Sequence, residues 1–107
     1  MKVDFYLRFR TKFGQKLSIV GNFSEAGEEQ VLPMSFFSDE FWHASIEVEP
    51  KKIPALHYRY IFTNEYAEVN VEAERHRNII LQKVPQQQIV VMDTWNEAGF
   101  IVDAFYT

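Results

Sequence analysis

The stretch Leu17-Ser18-Ile19-Val20-Gly21-Asn22-Phe23-Ser24-Glu25-Ala26-Gly27-Glu28-Glu29 is an alternating strand that runs directly into a loop punctuated by Gly21 and Gly27. Leu17 and Ile19 share one side of an extended chain, and Gly21, having no Cβ, permits a sharp exit from it. A strand of this kind buries its apolar side only against other strands or helices, so its neighbours decide the architecture.

Those neighbours repeat the same period. Upstream, Val3, Phe5, Leu7 and Phe9 alternate with wetter positions, which predicts a first strand, and Thr11-Lys12-Phe13-Gly14 supplies the turn into a second strand over 15–22. Downstream, a loop is expected over 23–33 and a short strand over 34–37. A stronger strand follows in which Trp42, Ala44, Ile46 and Val48 share a face. Leu56, Tyr58, Tyr60 and Phe62 alternate with His57, Arg59, Ile61 and Thr63, and Asn64-Glu65 has the turn chemistry for a hairpin into 67–71. Two more strands are predicted over 78–82 and 88–92, separated at Pro85, which cannot donate to a ladder. The pattern contains no convincing amphipathic helix. It predicts an all-β domain, an antiparallel immunoglobulin-like β-sandwich or open barrel of seven to eight short strands. The expected domain spans 1–95. The apolar stretch 96–107 reads as a linker or the start of a connection to a following domain, which makes the chain the amino-terminal piece of a longer protein.

Composition narrows the function. A chain of 107 residues with 47% apolar and 16% aromatic residues supports one core of strand-rich character. Eleven basic against fifteen acidic residues give a net charge of −4, so neither nucleic acid nor an anionic membrane is expected as a partner. The absence of cysteine removes disulfides and thiolate chemistry and favours a cytoplasmic address. On that basis the Asn22-Phe23-Ser24 sequon is read as an accident of composition. No apolar run approaches the roughly 20 residues of a membrane-spanning helix.

Catalytic patterns are thin. His43, His57 and His76 are far apart, no glycine cluster cradles a phosphate, and Glu47 and Glu49 read as the solvated side of a strand rather than a glycosidase pair. No metal or other cofactor is expected, and the domain is read as non-catalytic. Binding fits better: sugars are held by flat aromatic faces together with polar groups that fix hydroxyls.

The order of landmarks Phe13-Gly14, Leu17 to Asn22 with Gly27, Phe41-Trp42, His57-Tyr58-Arg59-Tyr60-Ile61, Glu72, His76-Arg77 and Asp93-Thr94-Trp95 spans nearly the whole chain. In that order they resemble the starch-binding domain, carbohydrate-binding module family 20. The resemblance implies two sites. For the first, Arg59 stands where the family has a lysine, Glu72 near its glutamate and His76 at its asparagine. Glu29 and Val71 occupy the places of its two tryptophans, so both stacking plates are missing. For the second, Phe13 occupies the first tyrosine position, Phe36 or Phe37 lies near the second, and Trp42 matches the tryptophan. Phe36 and Phe37 must point to opposite faces if both lie in a strand. Trp42 is read as equally compatible with the core, and Trp95 as a packing residue.

The resemblance extends to the amino-terminal domain of a glycoside hydrolase family 77 4-α-glucanotransferase of the amylomaltase type. It implies that this piece docks an α-1,4-glucan or malto-oligosaccharide beside neighbouring domains of the parent chain. Two other readings stand beside it. The Glu28-Glu29 replacement and the apolar tail favour a degenerate module serving as a spacer or protein-interaction surface, and the last reading is an unrelated small sandwich.

Overall fold

Two β-sheets pack face to face in the computed structural model, which describes residues 1–24, 26, 28–71, 77–85, 87–95 and 105–106. Ten strands are present among these residues: β1 (Lys2–Arg8), β2 (Lys16–Gly21), β3 (Gln30–Pro33), β4 (Ser35–Phe36), β5 (Phe41–Glu47), β6 (Ala55–Thr63), β7 (Val69–Val71), β8 (Arg77–Ile80), β9 (Gln88–Thr94) and β10 (Phe105–Tyr106). The only helical segment described is one 3-10 turn, Leu81–Lys83.

The first sheet has the order β10-β9-β1-β5-β4, and the second the order β3-β2-β6-β7, with β8 also on β6. β6 is long enough to host two partners on one edge, β8 along Ala55–Tyr58 and β7 along Ile61–Thr63. All pairings are antiparallel except one. β1 and β9 run parallel in register from Lys2↔Gln88 to Arg8↔Thr94, a pairing between the first strand and a late one that local alternation does not announce.

The core follows the alternation. Val3, Phe5 and Leu7 from β1, Leu17 and Ile19 from β2, and Leu56, Tyr58 and Tyr60 from β6 are essentially sealed from solvent. Ile89 and Val91 from β9 join them. Each fully buried aliphatic or aromatic side chain of this size contributes roughly 1.5–3 kcal/mol, so the interleaved inner faces hold the two sheets together.

Three local differences from the sequence reading have physical causes. The segment expected as loop over 23–33 contains β3, an edge strand that pairs with β2 from Ser18↔Pro33 to Gly21↔Gln30. Pro33 closes it at the sheet edge, where a missing N–H is tolerated. Phe23 is not loop surface either: it turns inward and packs on Phe5 with ring centroids 6.1 Å apart. The strand expected over 34–37 is shorter, because Met34 is drawn into the core while Ser35–Phe36 pair with β5.

The turns behave as their residues dictate. Asn64 Oδ1 accepts from the amides of Tyr66 and Glu68, both at 2.9 Å, and closes the β6–β7 loop. Asn22 splits its amide between two backbone groups of β6, donating to Ala55 O at 3.0 Å and accepting from His57 N at 2.7 Å. The asparagine of the sequon is thereby a structural bracket for the β2 exit.

Gly27, Glu72, His76 and 96–104, all of which entered the sequence reading, lie outside the described residues. Within 96–107, Phe105–Tyr106 pair with β9.

Candidate functional site

The turn between β1 and β2 carries Phe13 into solvent. Gln15 N donates to Lys12 O at 3.0 Å across the turn, and Gly14 between them has φ +87°, the left-handed value that a type II turn needs at its third position. A Cβ at Gly14 would also stand 3.1 Å from Glu65 Cβ. The turn is braced from that side, with Gln15 Nε2 donating to Glu65 Oε2 at 2.9 Å. Phe13 is therefore an exposed side chain on a fixed base, since its ring is wholly in solvent while its backbone is tied on both sides.

Opposite it stands the β4–β5 hairpin. Phe36 pairs with Trp42 in register, and their rings meet edge to face at 5.8 Å. The two are unequal, Phe36 being 57% exposed and Trp42 only 8%. Trp42 belongs to the core, and its indole Nε1 donates to Thr11 Oγ1 at 3.2 Å, which fixes the ring against the base of the Phe13 turn. Phe13, Phe36 and Trp42 line one shallow cleft of about 350 Å³ together with Thr11, Lys12 and Gln15. Trp42 forms its floor, while Phe13 and Phe36 offer free ring surface.

Phe37 does not join them. As the next residue it projects from the opposite side of the hairpin, where it meets Tyr6 at 5.2 Å and His43 at 6.3 Å. Arg59 is also apart, on the outer face of the second sheet opposite Val20. Its Nε is buried and has no hydrogen-bond partner among the described residues. Glu29, which stands where the resemblance places a tryptophan, is an exposed carboxylate at the entry to β3. Trp95 packs on Phe9 at 5.3 Å and Phe62 at 6.4 Å, as a packing residue should.

Two polar clusters were not assembled from the sequence. On the outer face of the first sheet, Asp4 is buried, its Oδ1 2.9 Å from His43 Nε2 and its Oδ2 accepting from Gln88 Nε2 at 2.9 Å. Burial is the largest single influence and opposes ionisation. The hydrogen bonds from His43, Gln88 and Ser45, with the nearby Lys2 charge, outweigh it and hold the carboxyl below its ordinary 3.8. A depressed folded-state pKa means stability that is present above the unfolded value and lost as pH falls through the folded one. Asp4→Asn should accordingly be less stable than the parent at neutral pH, with the gap closing below about pH 4. Urea midpoints measured across that range check it.

The second cluster is internal. Asp93 Oδ2 accepts from the hydroxyls of Tyr58 at 3.0 Å and Tyr60 at 2.6 Å. Arg77 Nη1 lies 3.4 Å from Asp93 Oδ1, and its guanidinium sits 5.5 Å over the Tyr60 ring. The available signal was Asp93 itself, an acidic residue in register with Ile89 and Val91 on a buried face.

A family model described as "Starch binding domain" matches residues 1–91. Among solved structures, the chain is similar to a glycoside hydrolase family 15 glucoamylase from Hypocrea jecorina, at 20% identity and a TM-score of 0.67 over 91% of this chain and 17% of that one. It is also similar to the gamma-CGTase from alkalophilic Bacillus clarkii, at 17% identity and a TM-score of 0.57 over 90% of this chain and 15% of that one. At these identities the likeness is one of fold, and the chain spans less than a fifth of either structure's length. No curated protein matches it.

Proposed function

Given that the chain belongs to the starch binding domain family, we propose that it holds α-1,4-glucan chains in the cleft between Phe13, Phe36 and Trp42, without catalysing their turnover. The observation that carries this reading is the convergence of those three rings, one from the β1–β2 turn and two from the β4–β5 hairpin, on one cleft of about 350 Å³. A pyranose presents C–H groups on its flat face and hydroxyls at its rim. Phe13 and Phe36 supply surfaces for the former, and Lys12 and Gln15 supply polar groups for the latter.

The cleft is shallow, so affinity is set by the rings. Malto-oligosaccharides should bind with Kd weaker than about 0.1 mM. Phe13→Ala, which removes a side chain with no packing role, should weaken binding roughly three- to tenfold and leave stability unchanged. Titration of the chain with maltoheptaose or a cyclodextrin while amide chemical shifts are recorded checks both. Perturbations should centre on the Phe13 turn and the Phe36–Trp42 pair, and silence at millimolar sugar would sink the proposal.

A weaker contact is proposed at Arg59, Glu72 and His76. It lacks a stacking plate because Glu29 replaces one, so it orients sugar without holding it. The parent we propose is a cytoplasmic 4-α-glucanotransferase of the amylomaltase type, in which this module docks substrate beside neighbouring domains. Support comes from the landmark resemblance and from the two solved relatives, a glycoside hydrolase and a CGTase, in each of which this fold is a small part of a longer chain. The spacer reading is favoured by one feature, the exposed Val31, Val69 and Ile80 on β3, β7 and β8. It predicts no sugar-induced shifts at all.

A further inference from the structure

Phe36 and Phe37 are consecutive, both largely exposed at 57% and 62%, and on opposite sides of one hairpin. Each has its own aromatic company. Phe36 belongs to the cleft with Trp42, and Phe37 stands at 77° to Tyr6 with ring centroids 5.2 Å apart. Tyr6 is in turn 4.7 Å from the His43 imidazole.

We infer that Phe37, Tyr6 and His43 form a second sugar-stacking platform, on the outer face of the first sheet, that continues the Phe13–Phe36–Trp42 cleft around the edge of β4, so that one linear α-glucan chain engages both. This rests on the reading of the cleft as a glucan site.

Three observations carry it. The first is continuity: β4 is the outermost strand of its sheet, and among the described residues nothing pairs with its free edge. Consecutive Cα atoms across a trans peptide are about 3.8 Å apart, so a chain leaving Phe36 reaches Phe37 by crossing a single strand. The second is ring surface. Phe37 keeps 62% of its surface exposed beside Tyr6, and that surface is open to a ligand.

The third is the polar chemistry beside the rings. His43 Nε2 is committed to Asp4, and its Nδ1 has no partner among the described residues, which leaves a ring nitrogen for a sugar hydroxyl. The carboxylate that orients the imidazole is itself buried and hydrogen-bonded by Gln88. Rings with one oriented hydrogen-bonding group and no unpaired carboxylate between them suit a neutral polyol. An ionic ligand would lose hydration there for no compensating charge.

The test compares a short with a long linear sugar on the full chain. Maltose should reach only the cleft, whereas maltoheptaose should reach both platforms and bind more tightly through the linked contact. Phe37→Ala is expected to weaken maltoheptaose about fivefold and leave maltose unchanged, while Phe13→Ala weakens both. In the parent protein, ring signals of Tyr6 and His43 should shift with maltoheptaose and stay still with maltose. Should Phe37→Ala bind maltoheptaose like the parent and the Tyr6 and His43 signals not move, the platform is overturned while the cleft stands, provided Phe13→Ala still loses affinity. If neither sugar moves any signal of the parent, the cleft reading falls and the platform with it.

Discussion

Asp93→Ala should lower the stability of the domain by about 3–5 kcal/mol, the cost of breaking a buried ion pair from one side. The Asp93 side chain is fully shielded and Arg77 is 12% exposed, so water screens their attraction little, and Arg77 is further fixed by a bond from Nη2 to Thr94 O at 2.7 Å. Two further groups would lose this acceptor, because the Tyr58 and Tyr60 hydroxyls both donate to Asp93 Oδ2. An unsatisfied buried hydroxyl costs roughly 1–3 kcal/mol. Against a total stability of about 5–15 kcal/mol for a typical small protein, the loss would leave the fold marginal at room temperature. Tyr60→Phe removes a donor without leaving an orphan of its own, and should cost only about 1 kcal/mol. Urea unfolding of the two variants checks the ordering, and equal losses would contradict the account. The network also limits the alkaline range. Burial first, then the Asp93 and Tyr58 charges, push the Tyr60 phenol well above its ordinary 10.0. A raised folded-state pKa means this stability is complete below pH 10 and is lost as pH rises past it.

Gly21→Ala is the other large effect expected, about 1–3 kcal/mol by overpacking. A Cβ at this position would lie 2.6 Å from Phe23 Cζ and 2.7 Å from His57 O. The ring could swing aside only by leaving the core, where it contacts Phe5, and the carbonyl belongs to β6 and accepts from Asn22 N at 3.2 Å. The residue is required by closeness rather than by backbone angle, because Gly14 is the one described glycine with positive φ. Paired denaturant melts of Gly21→Ala and Gly21→Ala/Phe23→Leu test the assignment. Relief in the double variant would implicate the ring, and no relief would leave the His57 carbonyl as the obstacle.

What the sequence made legible is what depends on neighbours along the chain. Alternation placed β1, β5 and β6 and assigned their inner faces, because a strand has period two whatever it packs against. The exposure of Phe13 followed from Gly14, a turn signal that carries its own conformational reason. The opposition of Phe36 and Phe37 followed from pleating. What escaped depends on partners far away in sequence. β3 was hidden because Gln30-Val31-Leu32-Pro33 owes its extended state to β2 rather than to its own pattern. Nothing local in β1 or β9 states that they lie side by side. The union of Asp93 with Tyr58, Tyr60 and Arg77 needed three strands in place, although a carboxylate on an apolar face was its visible trace. The cleft lay between these cases. Its members were nameable, but the separation of Phe37 from Phe36, Phe13 and Trp42 required the hairpin.

The parallel pairing of β1 with β9 has a mechanical consequence. Because the two strands point the same way, the chain enters the sandwich at the Lys2 end and leaves β9 at the Thr94 end, beside Arg8. Tension applied between those ends acts along both strands in opposite senses. The evenly spaced hydrogen bonds of a parallel ladder are then loaded together in shear, not opened one after another like a zipper. The sandwich is therefore clamped along the direction of β1 and β9, where their parallel ladder resists such a pull.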